Sequence, residues 1–228
     1  MCALYELKLA AEKLAKGLNI AQLPPEPLPE LFTGRPSHQM PIVRADAPDA
    51  LSLARWGLLT PWAKEEKEGN KLFNARAETL AEKPSFAKPL AAGQRCLIPL
   101  TSFTEWLTGQ DGGKQPYQVS AEDEALFTVA GLYTLWKHPQ TGVAVPSYTM
   151  VTTAANAQMK WLHNRMPLVL TPAVRSLWLA QSADPKEISL LLQGEVAQPL
   201  VFEPMALPEK PDKRGKPDKG DGQLDLFA

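Results

Sequence analysis

A cysteine stands second in the chain, directly behind Met1. Cysteine is small enough for an initiator methionine ahead of it to be removed. Removal leaves a free α-amine and a thiol on one residue, two nucleophiles with ordinary pKa values of roughly 8 and 8.5. Together they can capture one aldehyde twice. Position alone does not separate that reading from an inert cysteine near an N-terminus. Three further stretches carry groups able to serve such a reaction. In FNARAET, residues 73–79, an extended backbone aims Asn74 and Arg76 to the same side, because side chains alternate with period two. An amide beside a guanidinium suits a phosphate or sugar oxygen; equally, Arg76 can pair with a surface carboxylate while Asn74 caps a turn. In RCLIPLTSFTEW, residues 95–106, the same period puts Phe103 and Glu105 on one strand face with the following Leu107. A carboxyl between apolar neighbours is desolvated and its pKa rises towards neutrality, which makes it a usable proton donor or acceptor. On an edge strand Glu105 would instead stand in solvent. WLHNRMPLVL, residues 161–170, offers His163 either as an acid/base group or as a structural residue, and Arg165 as a fold-holding ion-pair partner. Cys96 lies in an apolar run and reads as filling, not as a nucleophile.

The bulk of the chain narrows what can surround these residues. Its 228 residues, 44% of them hydrophobic, suit one substantial domain with a tail. No run of 18 apolar residues is present, which argues against a membrane span, and no basic stretch precedes an apolar one as in a secretory signal. Two cysteines, Cys2 and Cys96, provide no disulfide framework and fit a reducing cytoplasm. His38, His138 and His163 stand far apart, and no Cys or His pair has metal-ligand spacing, so neither a metal nor another cofactor is expected. A net charge of −1 does not advertise nucleic-acid binding, yet leaves room for a local basic groove.

Periodicity and punctuation then place the elements. Residues 4–18 read as a short amphipathic helix with Leu4, Leu7, Leu14 and Leu18 near one face and Gly17 as its stop. The Pro-rich stretch that follows, through Pro41, reads as irregular but packed. Strands are expected in PIVRAD, LARWGLL, RCLIPL, SFTEWL, YQVSA, ALFTVAGLYTLW and SYTMVTT, with GQDGGK as a hairpin loop. Pro84, Pro172 and Pro185 open short helices, the latter two behind Thr171 and Asp184 as N-caps. Strands cluster without regular alternation with helices, which indicates an α+β fold and not α/β. From residue 208 to 222 the chain is a charged Lys/Asp/Gly/Pro tether of disordered composition, ending in the apolar cluster of QLDLFA at 223–228.

Taken together and in this order, Cys2, FNARAET, RCLIPLTSFTEW and TTAANAQMKWLHNRMPLVL resemble the SRAP family, the SOS-response-associated peptidases or abasic-site processing proteins. The resemblance covers residues 1–207 and implies a strand-rich pseudo-barrel core with flanking short helices. It implies that Cys2, freed of Met1, attacks the ring-opened aldehyde of an abasic site in single-stranded DNA and closes a thiazolidine, a covalent protein–DNA crosslink that protects damaged replication forks. On the same footing, Asn74 orients Cys2 and the sugar, Arg76 binds phosphate, Glu105 shuttles protons and His163 assists ring opening. Arg165 and Trp62 join as DNA contacts, Trp62 as a stacking surface for an unpaired base. Trp106 reads first as core packing. Members usually begin Met-Cys-Gly-Arg, whereas Ala3 and Leu4 follow Cys2 here.

The tail carries a second resemblance. Gln223, Leu224, Asp225, Leu226 and Phe227 match the short peptide by which bacterial proteins dock on the DNA sliding clamp, and a flexible tether would let the domain reach nearby DNA. The expected partners are therefore abasic single-stranded DNA and the clamp, with the protein monomeric, cytoplasmic and nucleoid-associated when bound to DNA. Two other readings stand beside this one. One is a thiol peptidase or N-terminal-nucleophile hydrolase using Cys2, Glu105 and His163. The other is a catalytically weak, clamp-associated DNA-binding adaptor.

Overall fold

The computed structural model describes residues 2–109, 112–122, 126–192 and 199–206. The expected tether and clamp peptide, residues 208–222 and 223–228, lie outside the described residues. In chain order the elements are β1 (Tyr5–Lys8), α1 (Ala11–Leu18), β2 (Leu31–Gly34), β3 (Gln39–Arg44), β4 (Ala47–Trp56), β5 (Asn74–Arg76), α2 (Pro84–Ala91), β6 (Arg95–Leu100), β7 (Ser102–Thr108), β8 (Lys114–Ala121), β9 (Phe127–Lys137), β10 (Ala144–Ala154), β11 (Arg165–Pro167), α3 (Pro172–Leu179), α4 (Pro185–Leu191) and β12 (Leu200–Pro204). Short 3₁₀ segments at Glu66–Lys71 and Ala77–Thr79 flank β5.

Five strands close on themselves. β10 pairs with β4, β4 with β3, β3 with β6, β6 with β9, and β9 returns to β10. The fold is α+β with this barrel at its centre. Only the β10–β4 contact within the ring is parallel. β10 is long enough to serve two purposes: Ala144–Met150 closes the ring with β9, while Met150–Ala154 carries β5 on one side and β11 on the other. A second sheet, antiparallel throughout and ordered β12-β8-β7-β1-β2, packs its inner face on the barrel. Tyr5, Phe103 and Val119 from that sheet share one buried cluster with Ile42, Trp56 and Tyr148 of the barrel. The short helices cover the other side, where Leu14, Leu18, Trp178 and Ile188 pack with Leu97 and Leu132.

The strands follow from their residues. FTVAGLYTLWK (β9) and AVPSYTMVTTA (β10) are rich in β-branched and aromatic side chains, which suit a pleated buried surface. Capping is explicit at α4, where Asp184 Oδ1 accepts from Lys186 N at 2.7 Å and Glu187 reaches back to Asp184 N at 3.3 Å. Three sequence expectations change here. Residues 5–8 are a strand and not the start of a helix: Tyr5 and Leu7 are buried while Lys8 is exposed, a period of two. The helix runs only from Ala11 and ends at Asn19, whose φ of 55° is left-handed, two residues beyond Gly17. The Pro-rich stretch is not irregular throughout, since it holds β2 and the start of β3. At β1 pairing on both sides, made only in the folded chain, overrides local propensity, and β2 forms as the edge strand laid against it.

Ring closure has one tight seam. Gly131 is paired with Cys96 of β6 on one side and Met150 of β10 on the other. A Cβ there would stand 2.7 Å from Cys96 Sγ, 2.8 Å from Ile98 Cδ1 and 3.0 Å from Thr149 O. Gly131→Ala is therefore expected to lose about 1–3 kcal/mol of stability through overpacking. The measurement is urea unfolding, read as a lower midpoint with an unchanged m-value; an unchanged midpoint would show that the seam yields.

Candidate active site

β1 is an interior strand, bonded to β2 on one side and to β7 on the other. Its inward-facing Tyr5 is fully buried between Trp56, at a ring distance of 4.9 Å, and Tyr148, whose hydroxyl meets its own at 2.5 Å. Anchored in this way, the chain start runs into the centre of the molecule, and Cys2 is 1% exposed. Its Sγ donates to Leu4 O at 3.6 Å, and its carbonyl accepts from Asn74 Nδ2 at 2.6 Å.

Asn74 is held by its neighbours on β5. The carbonyl of Phe73 accepts from Trp56 Nε1 at 2.8 Å and from Met150 N at 2.9 Å, which fixes the backbone just ahead of Asn74. The Oδ1 of Asn74 is buried without a hydrogen-bond partner among the described residues. That oxygen is an acceptor facing the Cys2 neighbourhood with capacity to spare.

Glu105 lies on β7, flanked by β1 and β8, so the solvent-edge alternative does not apply. It is 2% exposed and close enough to Cys2 for its charge to raise the thiol's pKa. Burial is the larger cause of that upward push, so the Cys2 thiol is neutral at ordinary pH. Burial also holds the Glu105 carboxyl above its ordinary range, with His163 among the weaker influences acting the other way. His163 Nε2 is 3.9 Å from Glu105 Oε2. The loop between β10 and β11 positions this histidine: Asn156 Oδ1 accepts from Met159 N at 3.0 Å, and Met159 and Leu162 are buried in the core. His163 Nδ1 accepts from the Arg165 amide at 3.0 Å. Nδ1 also lies 3.2 Å from the Arg165 carbonyl, so the Arg165 backbone occupies that nitrogen and Nε2 is the one facing Glu105.

The remaining expected residues fall into two other neighbourhoods. Arg165 makes a two-pronged contact with Glu78, at 2.5 and 2.9 Å, and also donates to Thr152 O at 2.6 Å. These bonds, with a smaller contribution from Arg76, hold the Glu78 carboxyl below its usual range. Arg76 itself is exposed on β5, and its guanidinium has no hydrogen bond or ion pair among the described residues. Trp62 sits on the loop between β4 and β5, half exposed, with Lys88 Nζ 5.8 Å from its ring centre. Trp106 departs from the core-packing expectation. It is 37% exposed, because alternation along β7 turns it away from the inward-facing Phe103 and Glu105. Cys96 is fully buried and its thiol is pushed up by burial, as suits filling. Sequence reasoning missed an aromatic ladder beside the acid. Tyr117 is paired across from Glu105, Trp161 meets Tyr117 edge-on at 5.2 Å, and Phe202 meets Trp161 at 5.2 Å. The signal available was Trp161 two positions before His163, 48% exposed in the fold.

Glu105 has a stability consequence. Its folded pKa is raised, so the folded state binds the proton more tightly than the unfolded chain does. Stability from this group is fully present below the unfolded value of about 4.3 and is lost as pH rises through the raised folded value. Glu105→Gln keeps the shape and removes that loss. It is expected to melt about 2–4 °C above the parent at pH 7, for a gain of about 1 kcal/mol in a domain of this size, and level with it at pH 4. Thermal melts at the two pH values check this; a lower melt at pH 7 would count against a destabilising buried charge.

Comparison with known proteins places the chain. The sequence profile described as SOS response associated peptidase (SRAP) matches residues 1–206. The chain is 38% identical over 196 residues to the abasic site processing protein YoqW of Bacillus subtilis, covering 85% of this chain and 87% of that one. It is 35% identical over 216 residues to YobE of the same organism, also named an abasic site processing protein, covering 93% and 98%. The similarly named HMCES of Xenopus tropicalis is 34% identical over 164 residues, 62% of this chain and 48% of that protein. Among solved structures, a protein from Bacteroides thetaiotaomicron superposes with a TM-score of 0.77 at 26% identity, covering 90% of this chain and 92% of that one. One from Bordetella bronchiseptica gives 0.77 at 25% identity, covering 90% and 100%. With the match extending over all but the last 22 of its 228 residues, the chain belongs to the SRAP family.

Proposed function

We propose that this protein processes abasic sites in single-stranded DNA by crosslinking itself to them through Cys2. The observation that carries the reading is the juxtaposition of Cys2 with three groups: Asn74 on its carbonyl, the buried Glu105 carboxyl beside it, and His163 Nε2 facing that carboxyl. The names of YoqW, YobE and HMCES, each an abasic site processing protein, support abasic sites as what is processed.

The chemistry runs as follows. Loss of Met1 frees the Cys2 amine. Its lone pair attacks the C1′ aldehyde carbon of the ring-opened sugar, and the aldehyde oxygen takes up a proton. The resulting carbinolamine loses water to give an imine. The Cys2 sulfur then adds to the imine carbon while its proton passes to the nitrogen, which closes the thiazolidine. Each step moves one proton near one carbon. A carboxyl with a raised pKa can donate at the oxygen and accept from the thiol, and the adjacent imidazole can relay. The neutral thiol explains the order of attack, amine first and sulfur second. Arg76 serves as a phosphate contact, and Arg165 reaches DNA only by sharing or releasing Glu78. Gln223, Leu224, Asp225, Leu226 and Phe227 dock the protein on a sliding clamp, the tether allowing the domain to work on DNA nearby. The cytoplasm, on the nucleoid, is where such a protein would act.

Three measurements test this. Intact mass is expected to lack Met1. A single-stranded oligonucleotide with one abasic site is expected to give a covalent adduct on a denaturing gel, abolished by Cys2→Ala and slowed roughly 10²-fold or more by Glu105→Gln. Equal adduct from wild type and Cys2→Ala would overturn the reading. Deleting residues 223–228 is expected to abolish binding to a purified clamp while leaving crosslinking to free oligonucleotide intact; loss of both would overturn the separable tail.

A further inference from the structure

His163 belongs to a segment outside helix and strand, residues 155–164 between β10 and β11. The inner side of this segment is anchored: Met159 and Leu162 are buried in the core, and Asn156 Oδ1 accepts from Met159 N. Apolar burial presses the turn down but is non-directional, so it does not fix where the segment sits along the neighbouring sheet. Two contacts on the outer side do. Trp161 packs edge-on against Tyr117 of β8, with ring centres 5.2 Å apart and planes at 90°, and against Phe202 of β12, at 5.2 Å and 63°. Gln158 Oε1 accepts from Leu200 N of β12 at 3.0 Å.

The strands gripped in this way are the ones beside the acid. Tyr117 is paired with Glu105, and directly paired residues share one face of a sheet. Phe202 is paired with Val119, two residues along β8 from Tyr117, and so joins the same face. Trp161 stands two positions before His163. One indole therefore ties the segment carrying the imidazole to the strand lying next to the carboxyl. The 3.9 Å between His163 Nε2 and Glu105 Oε2 bridges the same segment and the same sheet face. Edge-to-face contacts are directional as well as apolar, because the positive edge of one ring seeks the negative face of another. Trp161 is 48% exposed, too open for core filling to account for it.

We propose that Trp161, gripped by Tyr117 and Phe202, is a positioning residue that sets His163 Nε2 against the Glu105 carboxyl. It acts through His163 and not on the sugar. The proposal rests on the reading that Glu105 and His163 move protons for Cys2, and it names what fixes the distance between them. Proton transfer requires hydrogen-bond reach, so a ring that removes the sideways freedom of one partner controls the rate.

The test follows crosslinking of the full-length protein to an abasic single-stranded oligonucleotide over a range of DNA concentrations, giving a maximal rate and a half-saturating concentration. Trp161→Ala and Phe202→Ala are each expected to lower the maximal rate about tenfold and to leave the half-saturating concentration unchanged. Trp161→Phe is expected to keep the rate within about twofold of the parent, since a smaller ring still makes edge contacts. In a His163→Gln background, Trp161→Ala is expected to cost nothing further, because the group it positions is gone. A full additional loss there overturns the proposal. So does a raised half-saturating concentration at an unchanged maximal rate, which would make Trp161 a strand contact. Ring relaxation of isotope-labelled histidines, measured by NMR on the DNA-free protein, separates this claim from the chemistry. Trp161→Ala is expected to make the His163 ring more mobile and to leave His38 and His138 as they are. If it does so and the parent forms no adduct, the positioning stands and the crosslinking reading fails. If the parent forms adduct and His163 mobility is unchanged in Trp161→Ala, the crosslinking reading stands and the positioning fails.

Discussion

The structure depends on the first strand being an interior one. β1 spends its hydrogen bonds on both neighbours, β2 and β7, and its Tyr5 closes a buried contact with Trp56 and Tyr148 of the barrel. N-terminal residues are ordinarily frayed unless a sheet ties them down. Here the tie is in the middle of a sheet, so residue 2 is delivered into the core with its carbonyl on Asn74. The chemistry proposed for Cys2 needs that anchorage, because a frayed segment could not hold two nucleophilic atoms against one carbon.

The barrel supplies what the strand alone cannot. Its long strand β10 closes the ring with one half and carries β5 and β11 with the other, so Asn74 and His163 both hang from one rigid element. Trp56 and Met150 clamp the Phe73 carbonyl just ahead of Asn74. The ion pair of Arg165 with Glu78 draws the strand after His163 onto the segment after β5. The placement of Glu105 opposes stability, since a buried carboxyl favours its neutral form, and so does the unpartnered Asn74 oxygen. A fold with this many anchors around it can hold such a group where a marginal one could not.

Parts of this were legible beforehand. β6, β7, β9 and β10 announced themselves through β-branched and aromatic runs, and α2, α3 and α4 through proline at their first positions. The same local rules failed at β1, where LYELK offers Leu4 and Leu7 at helical spacing and Tyr5 and Leu7 at strand spacing, and only its two-sided pairing decides between them. They failed again at β2, inside a Pro-rich stretch, and at Trp106, which hydrophobicity assigns to the core and pleat alternation turns outward. The candidate site divided along the same line. Cys2, Asn74, Glu105 and His163 were nameable from residue type and resemblance, while the aromatic ladder of Tyr117, Trp161 and Phe202 was not, because its members come from three separate segments.

What the sequence by itself determined is the inventory: an α+β chain, a cysteine at position 2, an amide, a carboxyl and an imidazole on segments of suitable pattern, and a charge-balanced, Leu/Phe-bearing tail. Residue type and short-range periodicity are local properties and can be read from neighbours. Only the tertiary structure decided that Glu105 is buried and favours its proton, that Cys2 is close to it, that Arg165 is engaged with Glu78, and that Trp106 is turned to solvent. Burial and charge proximity depend on residues tens to more than a hundred positions apart, and those distances come into being only when the barrel closes.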